Sequence, residues 1–315
     1  RQTSGDIIYY APIGMWYPIW KWFKENNIEF DGLDASMFKN TLPHTFEQFK
    51  EIVDSWGMSR TPRPYQYAAA YKVLQYKISL SELATRAGKT LISYMIFRYA
   101  MTYLGVKKIL MIVPGIDLVK QGFEDFKEYA EFFNAECIWS GGKVVESSNM
   151  TIATFQSLIN YLDKKNKKYN PSFFNDYDCV FVDETHRANS SSIKSIISQP
   201  FMKSCKLSFG MTGTLPKPYT IDSYCLHSLL GAKIQTITAD DLIQQGYISP
   251  VQIYQHQIHY ANKIKQLKTW CRCAEYSLSD FVEVPKPTEK NPKKKDRVPL
   301  DNPEFLIAYQ KNFPI

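Results

Sequence analysis

The apolar residues fall into short unbroken blocks, separated by stretches in which they recur at helical spacing. Ile78, Leu80 and Leu83 form one block, and Lys107–Pro114 (KKILMIVP) holds a second. Met150–Thr154, Cys179–Val182 and Leu207–Met211 add three more. Continuous apolar runs of this length, flanked by helices, predict strands of a parallel sheet covered on both faces. A proline-marked boundary at Thr61-Pro-Arg-Pro precedes a helical run to about Gln75. A second helix is expected from about Lys89 to Leu104, stopped by Gly105. An amphipathic helix is expected over Asp117–Phe132, with Leu118, Phe123, Phe126 and Tyr129 among its apolar positions. Strands alternating with helices through short loops predict an α/β fold with a doubly wound, mostly parallel sheet, whose ligand sits at the carboxyl ends of the strands.

Residues 1–60 read as a separate accessory module, 61–255 as the α/β lobe, and 256–315 as a basic linker or the start of a further lobe. Trp16, Tyr17, Trp20, Trp22 and Phe23 crowd the first module. With Lys21, Lys24 and Lys39 they suit base stacking, while a small aromatic core is the simpler reading. Thr45-Phe-Glu-Gln48 predicts a capping box opening a helix with the stripe Phe46, Phe49, Val53 and Trp56, and Gly57 as its stop. Phe281–Leu300 combines prolines with Lys286, Lys290, Lys293, Lys294, Lys295 and Arg297, the composition of a flexible basic linker.

Composition narrows the picture modestly. The 315 residues are 44% hydrophobic, enough for a sizeable core. A net charge of +7 favours a polyanionic partner only mildly. No run of about 18 apolar residues occurs, so no membrane span is expected, and the N-terminus lacks secretory-signal character. A cytoplasmic protein is the expectation, in the host cytoplasm if the chain is phage-encoded. Cys179 and Cys205 read as buried reduced thiols. Cys271-Arg-Cys273 and His256-x-x-His259 lack a second pair at zinc-site spacing. Asp163-Lys-Lys-Asn-Lys-Lys168 is either a grip on a phosphate backbone or a solvated loop.

The chemistry centres on Ser81–Thr90 (SELATRAGKT). Gly88 allows close backbone approach to a phosphate, with the positive N-terminus of the next helix behind it. Lys89 would sit between β- and γ-phosphates, and Thr90 would ligand Mg²⁺. Thr85, Arg86 and Ala87 complete the loop. Leu83 stands where the phosphate-loop pattern has its first glycine, and Arg86 stands where a small residue is usual. Asp183-Glu-Thr-His186 follows CVFV directly. A strand-end Asp183 suits Mg²⁺, and Glu184 can deprotonate an attacking water. Together the two motifs point to nucleoside triphosphate hydrolysis.

With these motifs the chain resembles the superfamily 2 helicases and translocases of the D-E-x-H type, and within them the UvsW-like phage helicases. Further matches carry the resemblance. Arg63-Pro-Tyr-Gln66 looks like the glutamine motif, in which Gln66 would read adenine and so imply ATP. Met111–Gln121 resembles motif Ia, with Pro114, Gly115 and Gln121 expected against nucleic acid. Thr151–Gln156 resembles motif Ib, with Thr154 and Gln156 in that role. Ser208–Thr214 resembles motif III, in which Thr212 and Thr214 couple the nucleotide site through His186 to the nucleic-acid track. Leu242–Pro250 resembles the segment leading into a second lobe, and Asn189–Ile197 matches the serine- and isoleucine-rich stretch of the phage members.

The resemblance implies a RecA-like lobe, ATP and Mg²⁺ as cofactors, and DNA as partner, duplex or branched, with RNA not excluded. It also implies a second RecA-like lobe, in cis or in trans, because nothing after residue 260 resembles one. No Q-x-x-G-R-x-x-R occurs, so this chain alone is expected to turn ATP over poorly. Alternative readings are the motor part of a restriction or genome-packaging ATPase, or a lone RecA-like lobe acting as a non-catalytic scaffold.

Overall fold

The computed structural model describes residues 2–249, apart from 4–5, 8–10, 30–37, 134, 139–147, 186–190, 200–201, 203–204 and 219. The chain divides after Pro250, a few residues before the expected boundary. His256, His259, Cys271, Cys273 and the basic run from Lys286 to Arg297 lie outside the described residues.

A short antiparallel pair, β1 (Gln2–Thr3) and β2 (Asp6–Ile7), opens the chain. The main sheet contains β3 (Ile78–Leu83), β4 (Ile109–Val113), β5 (Ala135–Ile138), β6 (Met150–Thr154), β7 (Cys179–Asp183), β8 (Leu207–Thr212) and β9 (Lys233–Ile237). Their order is β5-β6-β4-β7-β8-β3-β9, and every described pairing is parallel. The five strands expected from apolar blocks occupy the middle of this sheet. No apolar block marks the two edge strands, and β9 shows why. It is only partly covered, so its alternation of Lys233, Gln235 and Thr236 with Ile234 and Ile237 reads as a loop rather than a buried block.

Nine helices are seen among the described residues: α1 (Trp16–Glu25), α2 (Phe46–Asp54), α3 (Pro64–Leu74), α4 (Lys89–Tyr103), α5 (Ile116–Tyr129), α6 (Phe155–Ile159), α7 (Ser191–Ile197), α8 (Ile221–Leu230) and α9 (Ala239–Gln244). Alternate side chains of each central strand face opposite layers. Leu83, Met111, Val113, Ile152, Phe181, Phe209 and Met211 pack with α2 to α5. Leu80, Leu110, Ile112, Ala153, Val180 and Val182 pack with α6 to α8. This is the doubly wound α/β arrangement the pattern predicts.

Three local expectations change. Helix α5 ends at Tyr129 rather than Phe132, because Ala130 is extended and Phe132 instead packs against the Arg98 guanidinium 4.8 Å from its ring. The capping box of α2 forms as expected. Phe49 and Val53, however, are buried in the core of the sheet's own helical layer, with Phe49 edge-on to Tyr99 at 5.3 Å. The segment 46–56 is therefore built into the lobe by packing. In α1, Trp16 stacks on Phe38 at 4.3 Å, while Tyr17 and Trp22 are exposed. Cys179 is buried as expected, whereas Cys205 precedes β8 and is half-buried.

Candidate active site

Strand register decides which motifs meet. Glu82 of β3 lies opposite Thr212 of β8, and Asp183 of β7 lies opposite Met211 of the same strand. The phosphate loop and the Asp183-Glu184 turn thus leave the sheet on either side of β8, about 10 Å apart at the usual strand spacing. Long side chains close that gap. Lys89 Nζ donates to Glu184 Oε1 at 2.8 Å, joining residues 95 apart in sequence. Both side chains are largely buried, at 13% and 25% exposure.

The backbone at this edge is held in sparsely populated conformations. Gly88 has φ +76° and caps α4 at its N-terminus. Arg86 and Glu184, neither of them glycine, also take left-handed values of +68° and +48°. Such residues cost of order 1 kcal/mol each and persist where the surroundings impose them, as at ligand sites. Gly88 sets the positive N-terminus of α4 beside the loop, a setting suited to an anion. Arg86 is exposed there, and no ion pair to it is found among the described residues.

Asp183 is the last residue of β7, and its carboxylate accepts the Glu184 N–H at 3.0 Å. Burial pushes its pKa up to about 6, the neighbouring Lys89 ammonium opposes that rise, and the Glu184 carboxylate adds to it. Thr212 Oγ1 donates to the Thr214 carbonyl at 2.9 Å and lies 3.4 Å from Glu184 Oε2. The motif III hydroxyl therefore touches the D-E pair directly. His186, expected to mediate that link, lies outside the described residues. Thr85, Pro114, Gly115, Asp117, Glu184, Gly213 and Thr214 line one cleft of about 470 Å³. It joins the phosphate loop to the start of motif Ia.

Gln66, expected to read adenine, lies beside the phosphate loop. It is 5% exposed. Its Oε1 accepts the Arg63 N–H at 2.8 Å, capping α3, and its Nε2 donates to the Ala87 carbonyl at 3.0 Å. Each end of the amide makes one bond within the protein, so Gln66 ties the start of α3 to the phosphate loop. Tyr65 Oη donates to the same Ala87 carbonyl at 2.9 Å. Arg63 Nη1 donates to the Tyr247 carbonyl at 3.3 Å, with its guanidinium 4.8 Å from the Tyr247 ring. Tyr65 and Tyr247 lie within matched motifs but carry no role assigned from sequence, and only the fold brings them together.

The remaining expected residues divide between inside and outside. Thr154 is buried, and its hydroxyl accepts the Ser157 N–H as the cap of α6. Gln156 and Gln121 are exposed. Val113↔Thr154 pairing places motifs Ia and Ib side by side at the sheet's carboxyl edge.

An all-parallel sheet with a lysine-bearing phosphate loop and a strand-end D-E pair on either side of one strand defines a RecA-like helicase core. The chain belongs to the family described as "Type III restriction enzyme, res subunit", a superfamily 2 helicase-type domain whose model matches residues 59–217. It is similar to the ATP-dependent DNA helicase uvsW of Enterobacteria phage T4, at 28% identity over 210 residues. That match covers 64% of this chain but only 39% of the helicase. Two crystal structures of T4 UvsW share the fold. One has a TM-score of 0.59 and 23% identity, covering 71% of this chain and 78% of that one. The other has a TM-score of 0.58 and 24% identity, covering 72% and 46% respectively. No helix among the described residues is long and apolar enough to cross a membrane.

Proposed function

We propose that this chain is the first lobe of an ATP-dependent, Mg²⁺-requiring DNA helicase or translocase that moves on duplex or branched DNA. The observation that carries the reading is the contact between Lys89 and Glu184 beside Asp183, at the mouth of the phosphate loop. The residues present fit a metal-bound triphosphate. Lys89 supplies a positive charge at the loop, and Gly88 sets the N-terminus of α4 at the same place. A Mg²⁺ would be held by one carboxylate, Asp183, and one hydroxyl, Thr90. When bound, the ion neutralises charge on the β- and γ-phosphates.

Glu184 is the base for the attacking water, and Lys89 holds its carboxylate in place. Gln66 and Tyr65 position the loop through the Ala87 carbonyl, and Pro114, Gly115, Gln121, Thr154 and Gln156 mark the edge along which DNA passes. A second lobe supplies the arginine that stabilises the departing phosphoryl group, an effect of about 10³–10⁵ in rate. The test is ATP turnover by the full-length product with and without DNA, beside Glu184→Gln. DNA-stimulated turnover falling about 10²–10⁴-fold in the variant is expected of a lost general base. Turnover indifferent to DNA would overturn the motor reading.

A further inference from the structure

The lysine-rich stretch after α6 is a built loop. Asp163 Oδ1 accepts the Lys165 N–H at 2.9 Å, and Asn166 Oδ1 accepts the Lys168 N–H at 2.9 Å. These are two side-chain-closed turns in tandem. The Asn170 N–H returns to the Tyr161 carbonyl at 2.9 Å and closes the loop at its base. Beneath it the nearly buried Tyr161 stacks on Phe173 at 4.3 Å. Asp163 and Asn166 thus bind backbone N–H groups within the loop, and Lys164, Lys165, Lys167 and Lys168 are exposed. None of the four takes part in an ion pair among the described residues. Four lysines against one aspartate make this the site of a large part of the chain's +7 net charge.

The loop is also tied to the motif Ib edge. Asn166 Nδ2 donates to Asn160 Oδ1 at 2.9 Å, and Asn160 Nδ2 donates to the Gln156 carbonyl at 3.3 Å. Holding four like charges within five residues is electrostatically unfavourable until a polyanion meets them. A rigid frame that spaces them lowers the ordering cost of binding one.

Resting on the reading of the chain as a DNA motor, we infer that the loop 163–170 is a docking element for the phosphate backbone of duplex DNA, extending the track beyond Gln156. It reads no sequence, since phosphate contacts position without specifying.

The experiment uses the full-length protein with Lys164→Gln, Lys165→Gln, Lys167→Gln and Lys168→Gln combined. Duplex DNA is titrated by fluorescence anisotropy and by ATPase stimulation, across a range of salt. Turnover without DNA and at saturating DNA should be unchanged, which also shows that the variant folds. The half-saturating DNA concentration should rise about tenfold or more, equally for unrelated sequences. The log–log salt slope should become shallower by ~0.9 for each phosphate no longer neutralised. The matching four-arginine variant should restore both. An unchanged affinity and slope would overturn the inference, as would weakened binding with an unchanged slope. If the wild-type protein shows no DNA-stimulated turnover, the motor reading fails instead, and the anisotropy titration still decides the loop.

Discussion

Gly88→Ala probes how tightly the phosphate loop is held. At φ +76° an alanine incurs left-handed strain of about 1–2 kcal/mol. A Cβ at this position would also lie 2.3 Å from Gln66 Nε2, which is buried and belongs to an amide hydrogen-bonded at both ends. Relieving that clash means giving up the bond to the Ala87 carbonyl and disturbing the Arg63 cap, at about 1 kcal/mol each. The total is roughly 3 kcal/mol, or a melting point lower by ~6–12 °C for a lobe of this size. The clash component can be isolated. In a Gln66→Ala background the amide is gone, so Gly88→Ala should cost only its strain. A four-protein cycle followed by urea denaturation should therefore show about 1–2 kcal/mol of coupling between the two sites. Additive losses would refute the clamp between Gln66 and the loop.

Other perturbations test separate parts of the structure. Replacing Asp183 by Asn should stabilise the fold near pH 7.5 while abolishing Mg²⁺-dependent turnover, because burial holds the carboxyl near pKa 6 rather than 3.8. A raised acid pKa means the native state keeps its proton longer than the unfolded chain. Its contribution is thus favourable below about pH 4 and lost as pH climbs through 6, an effect of up to ~3 kcal/mol. The Asn variant's advantage should accordingly be larger at pH 7.5 than at pH 5 in denaturant titrations, and equal advantages would contradict the assignment. Thr45→Ala removes the cap of α2 and should cost about 1 kcal/mol without altering ATP turnover. Residues 46–56 should melt together with the lobe, since Phe49 shares its core; a separate early melt of that segment would show otherwise. Arg63 meets the ring and the backbone carbonyl of Tyr247 rather than its hydroxyl. Tyr247→Phe should therefore melt like the wild type, whereas Tyr247→Ala should lose about 1 kcal/mol.

Apolar blocks fixed the central strands and, through their continuity, the burial of both sheet faces. Thr45 with Gln48, and Gly105 after α4, likewise marked local ends, because capping needs only neighbouring residues. These signals are short-range, so a single stretch of sequence is enough to carry them. What the tertiary structure decided is long-range: that β7 and β3 flank β8, so that Lys89 finds Glu184 across 95 residues. The same holds for Gln66, whose amide reaches the Ala87 carbonyl 21 residues on, and for the edge strand β9, whose half-covered faces erase the apolar block. Asn160 and Asn166 carry no chemistry in the sequence, yet they fasten the lysine loop to motif Ib. Pattern along a chain reports which face of an element is buried; only strand order and register determine which ends come together.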